Sequence, residues 1–351
     1  MKSLLQAQID ILDSNIKYVL PKIDLAKLNG KSIFMTGATG FFGIWLLSAI
    51  RELNKNGTNV SVCVLSRNPT LFQHVHPQFS DQPWLSYIQG DIKFLPVISA
   101  RFDFLLHGAT ETSMTAHANP QKMLDDIFIG TQKILEFARS CQVHRTLLIS
   151  SGAVYGEQSS AEPLRMDDSK QACNTLMPYN AYGEGKRLME LMGAIFQQQY
   201  GIDTISARCF SFSGPGLPID KHFAIGNFIR DALYLEKITI KGDGLAIRSY
   251  MHGADLSVWL LNLIINGQSG ESYNVGSDQP ITIRDLAFKV RDLLAPGKTI
   301  QILNHGSTNL SHTSNYVPST TRARQIGCSV WTNLDKSIQQ AAEYQKFFQV
   351  N

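Results

Sequence analysis

The chain has 351 residues, 44% of them hydrophobic, and a formal net charge of +3. That length suits one large domain or two intimately joined ones, and that composition suits a globular protein. The near-neutral balance, with no basic run, argues against nucleic acid as a partner, and no apolar run reaches the roughly 18 residues of a membrane span.

Residues 1–30 read as an N-terminal helical extension. Leu4, Leu5, Ile9, Leu12, Ile16, Val19 and Leu20 recur at three- and four-residue steps, as on an amphipathic helix. A signal peptide would instead need a continuous apolar core and a cleavage site. Such a helix packs on the main body or serves as an oligomer contact. Five cysteines, Cys63, Cys141, Cys173, Cys209 and Cys328, are scattered and form no CxxC. They read as buried free thiols, which suits a reducing cytoplasm.

From Lys31 the chain alternates. A strand over 31–36 breaks into glycines and a helix over 42–53. Strands over 60–65 and 102–107 follow, then a helix over 123–140, a strand over 145–150, a helix over 182–200 and a strand over 202–210. Alternating strands and helices predict an α/β fold, a Rossmann-type doubly wound parallel sheet with helices on both faces. After about Gly214 the rhythm changes. Loops rich in Gly and Pro are expected over 213–218, 241–244 and 274–280. The division is therefore a dinucleotide-binding domain over 31–213 and a smaller C-terminal α/β region over 214–351 that mainly binds substrate.

The first strand runs into Gly37-Ala38-Thr39-Gly40-Phe41-Phe42-Gly43. Strand, glycine turn, helix is the arrangement that brings backbone close to a pyrophosphate and aims a helix N-terminus at it. Gly37, Thr39, Gly40, Phe41, Phe42 and Gly43 are thus cofactor-binding candidates. At the end of the second strand an acid would bind ribose hydroxyls, whereas a cation would accept the extra phosphate of NADP. The sequence there reads Leu65-Ser66-Arg67-Asn68. Ser66 and Arg67 therefore favour NADP, with NAD still possible.

Tyr182 and Lys186 are four apart at the start of a helix and share a face. A free phenol titrates near about 10 and is a poor base at neutral pH. A neighbouring ammonium is expected to lower it. The pair could then move the proton of an alcohol as hydride leaves or arrives. Gly183 and Gly185 each cost about 1 kcal/mol in helix propensity, which suggests that something large approaches this turn. Ahead of the pair, Ser151 ends a strand, at the edge where open α/β sheets bind ligands. It could hold the reacting oxygen against Tyr182.

With these residues together, the chain resembles the extended short-chain dehydrogenase/reductases of the NAD-dependent epimerase/dehydratase (nucleotide-sugar) family. Seven motifs follow the family's order between Lys31 and about Asn333. They are TGATGFFG, Gly90-Asp91-Ile92, His107-Gly108-Ala109-Thr110, SSGAVYG with YGEGK, the Arg208–Pro215 segment, Arg248–His252 and Tyr273–Gly276. The resemblance implies that Asp91, with Ile92, contacts adenine and that His107, Gly108, Ala109 and Thr110 line the cofactor. It assigns Ser151, Tyr182 and Lys186 to catalysis, with Tyr182 and Lys186 also touching the cofactor. It places Arg248 at the diphosphate of a nucleotide sugar, with Arg322 second, and implies a homodimer through two helices per subunit.

Three departures matter. Family 4,6-dehydratases carry acids just after the catalytic hydroxyl, and here those positions are Gly152 and Ala153. Neither can move a proton. That leaves C4 epimerisation or reduction of a 4-keto sugar, with a dehydratase using other acids such as Glu184 as an alternative. Ser211 and Ile127 stand where the family often has Asn. Thr112 and Ser113 could bond sugar hydroxyls or cap the next helix. His222 and His252 read as structural, and nine histidines with no paired-ligand spacing give no support for a metal. From another class, a catalytically silent NADP-binding sensor or scaffold has no need of Ser151, Tyr182 and Lys186 together.

Overall fold

The computed structural model describes residues 2–98, 100–158, 164–221, 223–303 and 315–347. His222 lies outside them. Seven parallel strands form the large sheet: β1 (Ser32–Thr36), β2 (Ser61–Ser66), β3 (Leu85–Gln89), β4 (Phe104–His107), β5 (Arg145–Ser151), β6 (Asp203–Cys209) and, much later in the chain, β11 (Ser272–Val275). Their spatial order is β3-β2-β1-β4-β5-β6-β11. The order reverses between β1 and β4, which opens a crevice at the strand ends, where this class of sheet binds its ligands.

Strict alternation along each strand divides the core in two. Ile33, Met35, Val62, Val64, Leu147 and Ile149 face one side. Phe34, Cys63, Leu65, Leu105 and Leu148 face the other. The helices α1 (Lys2–Val19), α2 (Phe41–Lys55) and α8 (Gly253–Asn266) lie on the first side. The helices α5 (Pro120–Ser140) and α6 (Ala181–Tyr200) lie on the second.

Helix α8 is buried at every position from Gly253 to Ile265. A helix apolar all round needs cover on all sides. The sheet and α2 supply part of it and α1 supplies more. Leu12, Ile16 and Val19, spaced i, i+4 and i+7, are the buried stripe of α1. Its Asp13 pairs with Arg51 of α2. The N-terminal helix is therefore part of the fold's own packing.

Short helices α3 (Pro69–Val75) and α4 (Met114–His117) decorate the connections. Strands β7 (Phe212–Ser213), β8 (Lys237–Ile240), β9 (Ile247–Arg248), β10 (Met251–His252), β12 (Ile281–Thr282), β13 (Thr299–Ile302) and β14 (Asn315–Tyr316) form three small sheets beyond the large one. With α7 (Ala224–Tyr234), α9 (Ile283–Leu294) and α11 (Leu334–Lys346) they enclose a separate core around Ile225, Phe228, Ile240, Leu286 and Ile338. A short α10 (Thr321–Gln325) follows β14.

Two expectations need correction. The loop expected over 274–280 begins inside β11, because Tyr273, Asn274 and Val275 pair with Ala207, Arg208 and Cys209. Residues 214–351 also serve two places, since α8 and β11 return to the large sheet. All five cysteines are free and buried. Among the described residues no helix is long and apolar enough to cross a membrane.

Candidate active site

The glycine loop is shaped by contacts that no side chain would survive. Gly37 has φ +75°, and a Cβ there would lie 2.5 Å from the backbone of Gly108. At Gly43 a Cβ would lie 2.0 Å from the carbonyl oxygen of Ala38, so α2 packs directly on the turn. Gly40 is different. Its Cβ would meet only the Gly37 oxygen at 3.6 Å, and Thr39 and Gly40 are exposed. The loop thus keeps one open side, at the start of α2, where the N–H groups of Phe41, Phe42 and Gly43 have no acceptor within the helix. That is a fitting cradle for a dinucleotide pyrophosphate.

Across the crevice, His107 Nδ1 is 2.8 Å from Thr36 Oγ1. Thr36 Oγ1 also accepts from the N–H groups of Gly108 and Ala109. Burial, helped by the field of Lys186, pushes His107 down to about 3, so it stays neutral. Its place is to tie β4 to β1 at the switch point. Farther out, Ser66 Oγ accepts from the N–H of Asn68, and the Arg67 side chain is exposed. Asp91 accepts from the N–H of Lys93, and Ile92 packs on Gly130 of α5.

Strand β5 and helix α6 bring the three catalytic candidates together. Ser151 ends β5, and its Oγ accepts from the N–H of Ala153 at 3.2 Å. Lys186 is 2% exposed. Its Nζ donates to Thr110 Oγ1 at 2.9 Å and to the Ile149 carbonyl at 2.7 Å. It lies 5.9 Å from the centre of the Tyr182 ring. The His117 ring meets that of Tyr182 edge-on at 5.5 Å.

The expected lowering of the phenol by this ammonium does not prevail. Burial pushes Tyr182 up to about 12; the Ser151 hydroxyl opposes this and Cys209 adds to it. Burial likewise pushes Lys186 down to about 8, against the opposing influence of Cys209 and Glu190. At neutral pH Tyr182 is therefore a protonated phenol, an acid, beside a charged lysine.

The glycines at the start of α6 also have a protein-internal cause. A Cβ at Gly183 would lie 2.5 Å from Cys173 Sγ and 2.7 Å from the Ala153 oxygen. One at Gly185 would lie 2.8 Å from Ile127 of α5. What approaches the turn is the chain's own packing, and Ile127 is the residue that fills it.

On the substrate side, Gly152 is walled off. A Cβ there would lie 2.7 Å from the Phe210 ring. Phe210 in turn packs on Tyr316, with centroids 4.6 Å apart. Tyr316 was not singled out in the sequence, where it stands in a polar stretch with no motif. Its phenol lies 3.3 Å from Ser151 Oγ and donates to the Cys209 carbonyl at 3.4 Å. Arg248 is half-buried, with its guanidinium 5.9 Å from the Tyr316 ring centre. Strand β14 brings Tyr316 there by pairing with β9. Arg248, Tyr316 and Ser151 thus form one line of contacts.

Other substrate candidates stand elsewhere. Ser113 Oγ accepts from the N–H of Ala116, so it caps α4, and Thr112 is exposed beside it. Ser211 lies between β6 and β7, where its carbonyl accepts from Met251. Arg322 donates to Glu271 and to the Ser272 carbonyl at the beginning of β11. Ser272 is level with Ser206, whereas Ser151 is level with Cys209, three residues on. At about 3.3 Å per residue that is roughly 10 Å from the catalytic edge, so the structure does not bring Arg322 to Ser151.

Comparison with known proteins gives a consistent likeness. The model of the family described as "NAD dependent epimerase/dehydratase family" matches residues 33–276. UDP-glucuronic acid decarboxylase 6 of Arabidopsis thaliana is 28% identical over 277 residues, 78% of this chain and 77% of that protein. Among solved structures, a UDP-N-acetylglucosamine 4-epimerase from Methanobrevibacter ruminantium superposes with a TM-score of 0.77 at 19% identity, covering 91% of this chain and 99% of its own. A dTDP-glucose 4,6-dehydratase from Bacillus anthracis, in complex with NAD, superposes with a TM-score of 0.74 at 18% identity, covering 91% and 98%.

Proposed function

Because the chain belongs to the NAD-dependent epimerase/dehydratase family, we propose that it transfers hydride at C4 of a nucleotide-activated sugar, as a C4 epimerase or a 4-keto-sugar reductase. The observation that carries this reading is the wall beside Ser151. Gly152 and Ala153 bear no acid, and the Phe210 ring fills the space over Gly152. Chemistry there is confined to what two phenols, a serine and a lysine can do.

A nicotinamide dinucleotide would supply or accept the hydride, held by the Gly37–Gly43 loop at one end and by Lys186 and Tyr182 at the other. Ser151 would hold the C4 oxygen. Tyr182, protonated at neutral pH, gives its proton to that oxygen as hydride reaches C4, which is the reductive direction. In the oxidative direction it takes the proton back, which requires its pKa to fall. Lys186 supplies a nearby positive charge for that step. Arg248 is the cation for the substrate's diphosphate. The exposed guanidinium of Arg67 favours NADP over NAD. The dimer implied by the resemblance would form through α5 and α6.

A second reading is decarboxylation at a uronic acid, favoured by the likeness to UDP-glucuronic acid decarboxylases. Oxidation at C4 makes such a substrate a β-keto acid, which loses carbon dioxide without a carboxylate base. The common test is Tyr182→Phe. Turnover should vanish while dinucleotide affinity, measured by calorimetry, stays within about threefold. A variant as active as the parent would end both readings.

A further inference from the structure

Tyr182, Lys186 and Glu190 follow one another at four-residue steps on α6, so all three share a face of the helix. The third has no part in the chemistry described above, yet its carboxylate joins β5 and β6 behind the site. Glu190 Oε1 accepts from Ser150 Oγ, the neighbour of Ser151. Its carboxylate also takes Arg208 of β6 in a fork, with Nε at 3.0 Å and Nη2 at 2.6 Å. Arg208 Nη1 then donates to the Tyr155 phenol at 2.9 Å, and that phenol donates to Asn274 of β11 at 2.7 Å. Helix α6 is thereby tied to β5, β6 and β11 at one level.

Resting on the function proposed above, we propose that Glu190 is a positioning residue: it clamps the end of β5 to α6, setting Ser151 against Tyr182, and it keeps a carboxylate one helical turn from Lys186.

A plain brace would not need these residues. The side chains of Glu190 and Arg208 are only 15% and 16% exposed. A buried ion pair holds elements together no better than well-packed apolar residues of similar size, because desolvation offsets its attraction. What an apolar pair cannot do is grip a hydroxyl next to the catalytic serine and place a carboxylate one helical turn from the residue that carries the buried ammonium. The other titratable groups near Lys186 offer no such charge. His107 of β4 is neutral, Cys209 of β6 is a thiol raised by burial, and Tyr182 is a phenol. Tyr316 of β14 lies beyond Ser151. The carboxylate of Glu190 favours the charged form of Lys186.

The test compares Glu190→Gln, Glu190→Asp and Ser150→Ala in the full chain. Titration of protein labelled with 13C at the lysine ε-carbon, with the Lys186 signal assigned through Lys186→Met, needs no substrate. In Glu190→Gln the Lys186 midpoint should fall by about one pH unit, and in Glu190→Asp most of that fall should be restored. With nucleotide sugar, kcat of Glu190→Gln should fall roughly 10- to 100-fold while KM changes little, as expected of a misplaced reacting group. The alkaline limb of kcat should move to lower pH, because Lys186 loses its proton sooner. Ser150→Ala should lower kcat and leave the midpoint alone, and it decides the clamp if Glu190→Gln does not fold. An unmoved midpoint, with activities that track only the folded fraction, would overturn the proposal. Failure of the parent enzyme to turn over any nucleotide sugar would instead count against the function, and the titration would still decide the place of Glu190.

Discussion

Gly152 is shut to any side chain. The Phe210 ring that closes it is pinned by Tyr316 at 4.6 Å and by Tyr155 at 6.3 Å. Gly152→Ala must push that ring aside, an overpacking that should cost about 1–3 kcal/mol, read by urea denaturation. Gly152→Glu should fold less well still and should not gain dehydration; water loss by this variant would show that the wall yields. At the other end of the crevice, Arg67→Ala should weaken NADP far more than NAD. Equal affinities in parent and variant would remove the preference for NADP. The absence of acids beside Ser151 was legible in the sequence, because the motif fixes the positions. Phe210 as the reason, and Tyr316 and Glu190 as partners, were not. Each reaches the site across 40 residues or more of chain, from the Glu190–Ser150 contact to the 165-residue separation of Tyr316 and Ser151, and no local pattern records such a meeting.

The elements were legible where they repeat a period. Strands β1, β2, β4, β5 and β6 alternate between two apolar cores, and α2, α5 and α6 carry broad apolar faces, so each stands out to within three residues at either end. Strand β3 did not, because it is an edge strand with only Leu85 fully buried among Leu85–Gln89. Strand β11 was hidden by the glycine and proline that follow it. Helices α5 and α6 also leave apolar side chains on their outer faces: Phe128 is 42% exposed, Leu191 56% and Ile195 39%. Leu191 and Ile195 are four apart on one helix, as a dimer of helix pairs would need. Leu191→Glu should turn a dimer into a monomer in sedimentation experiments with little loss of thermal stability. A parent chain that sediments as a monomer at micromolar concentration would rule the dimer out.

The whole molecule ties the large core on the α1, α2 and α8 side of the sheet to the small C-terminal core by sending the chain back and forth. The region after Gly214 builds the small core, gives α8 and β11 to the large one, and returns through β14 to set Tyr316 on Ser151. The N-terminal helix closes the large core over α8. The candidate active site therefore stands at the end of β5, where β14 of the C-terminal region brings Tyr316 to Ser151. The most direct measurement is the product mass, with structure by NMR, after incubating the purified protein with nucleotide hexoses and nucleotide 4-keto-6-deoxyhexoses, with and without NADPH. The account predicts either an unchanged mass with inverted C4 or a gain of two hydrogens. Loss of water from a nucleotide hexose would contradict it.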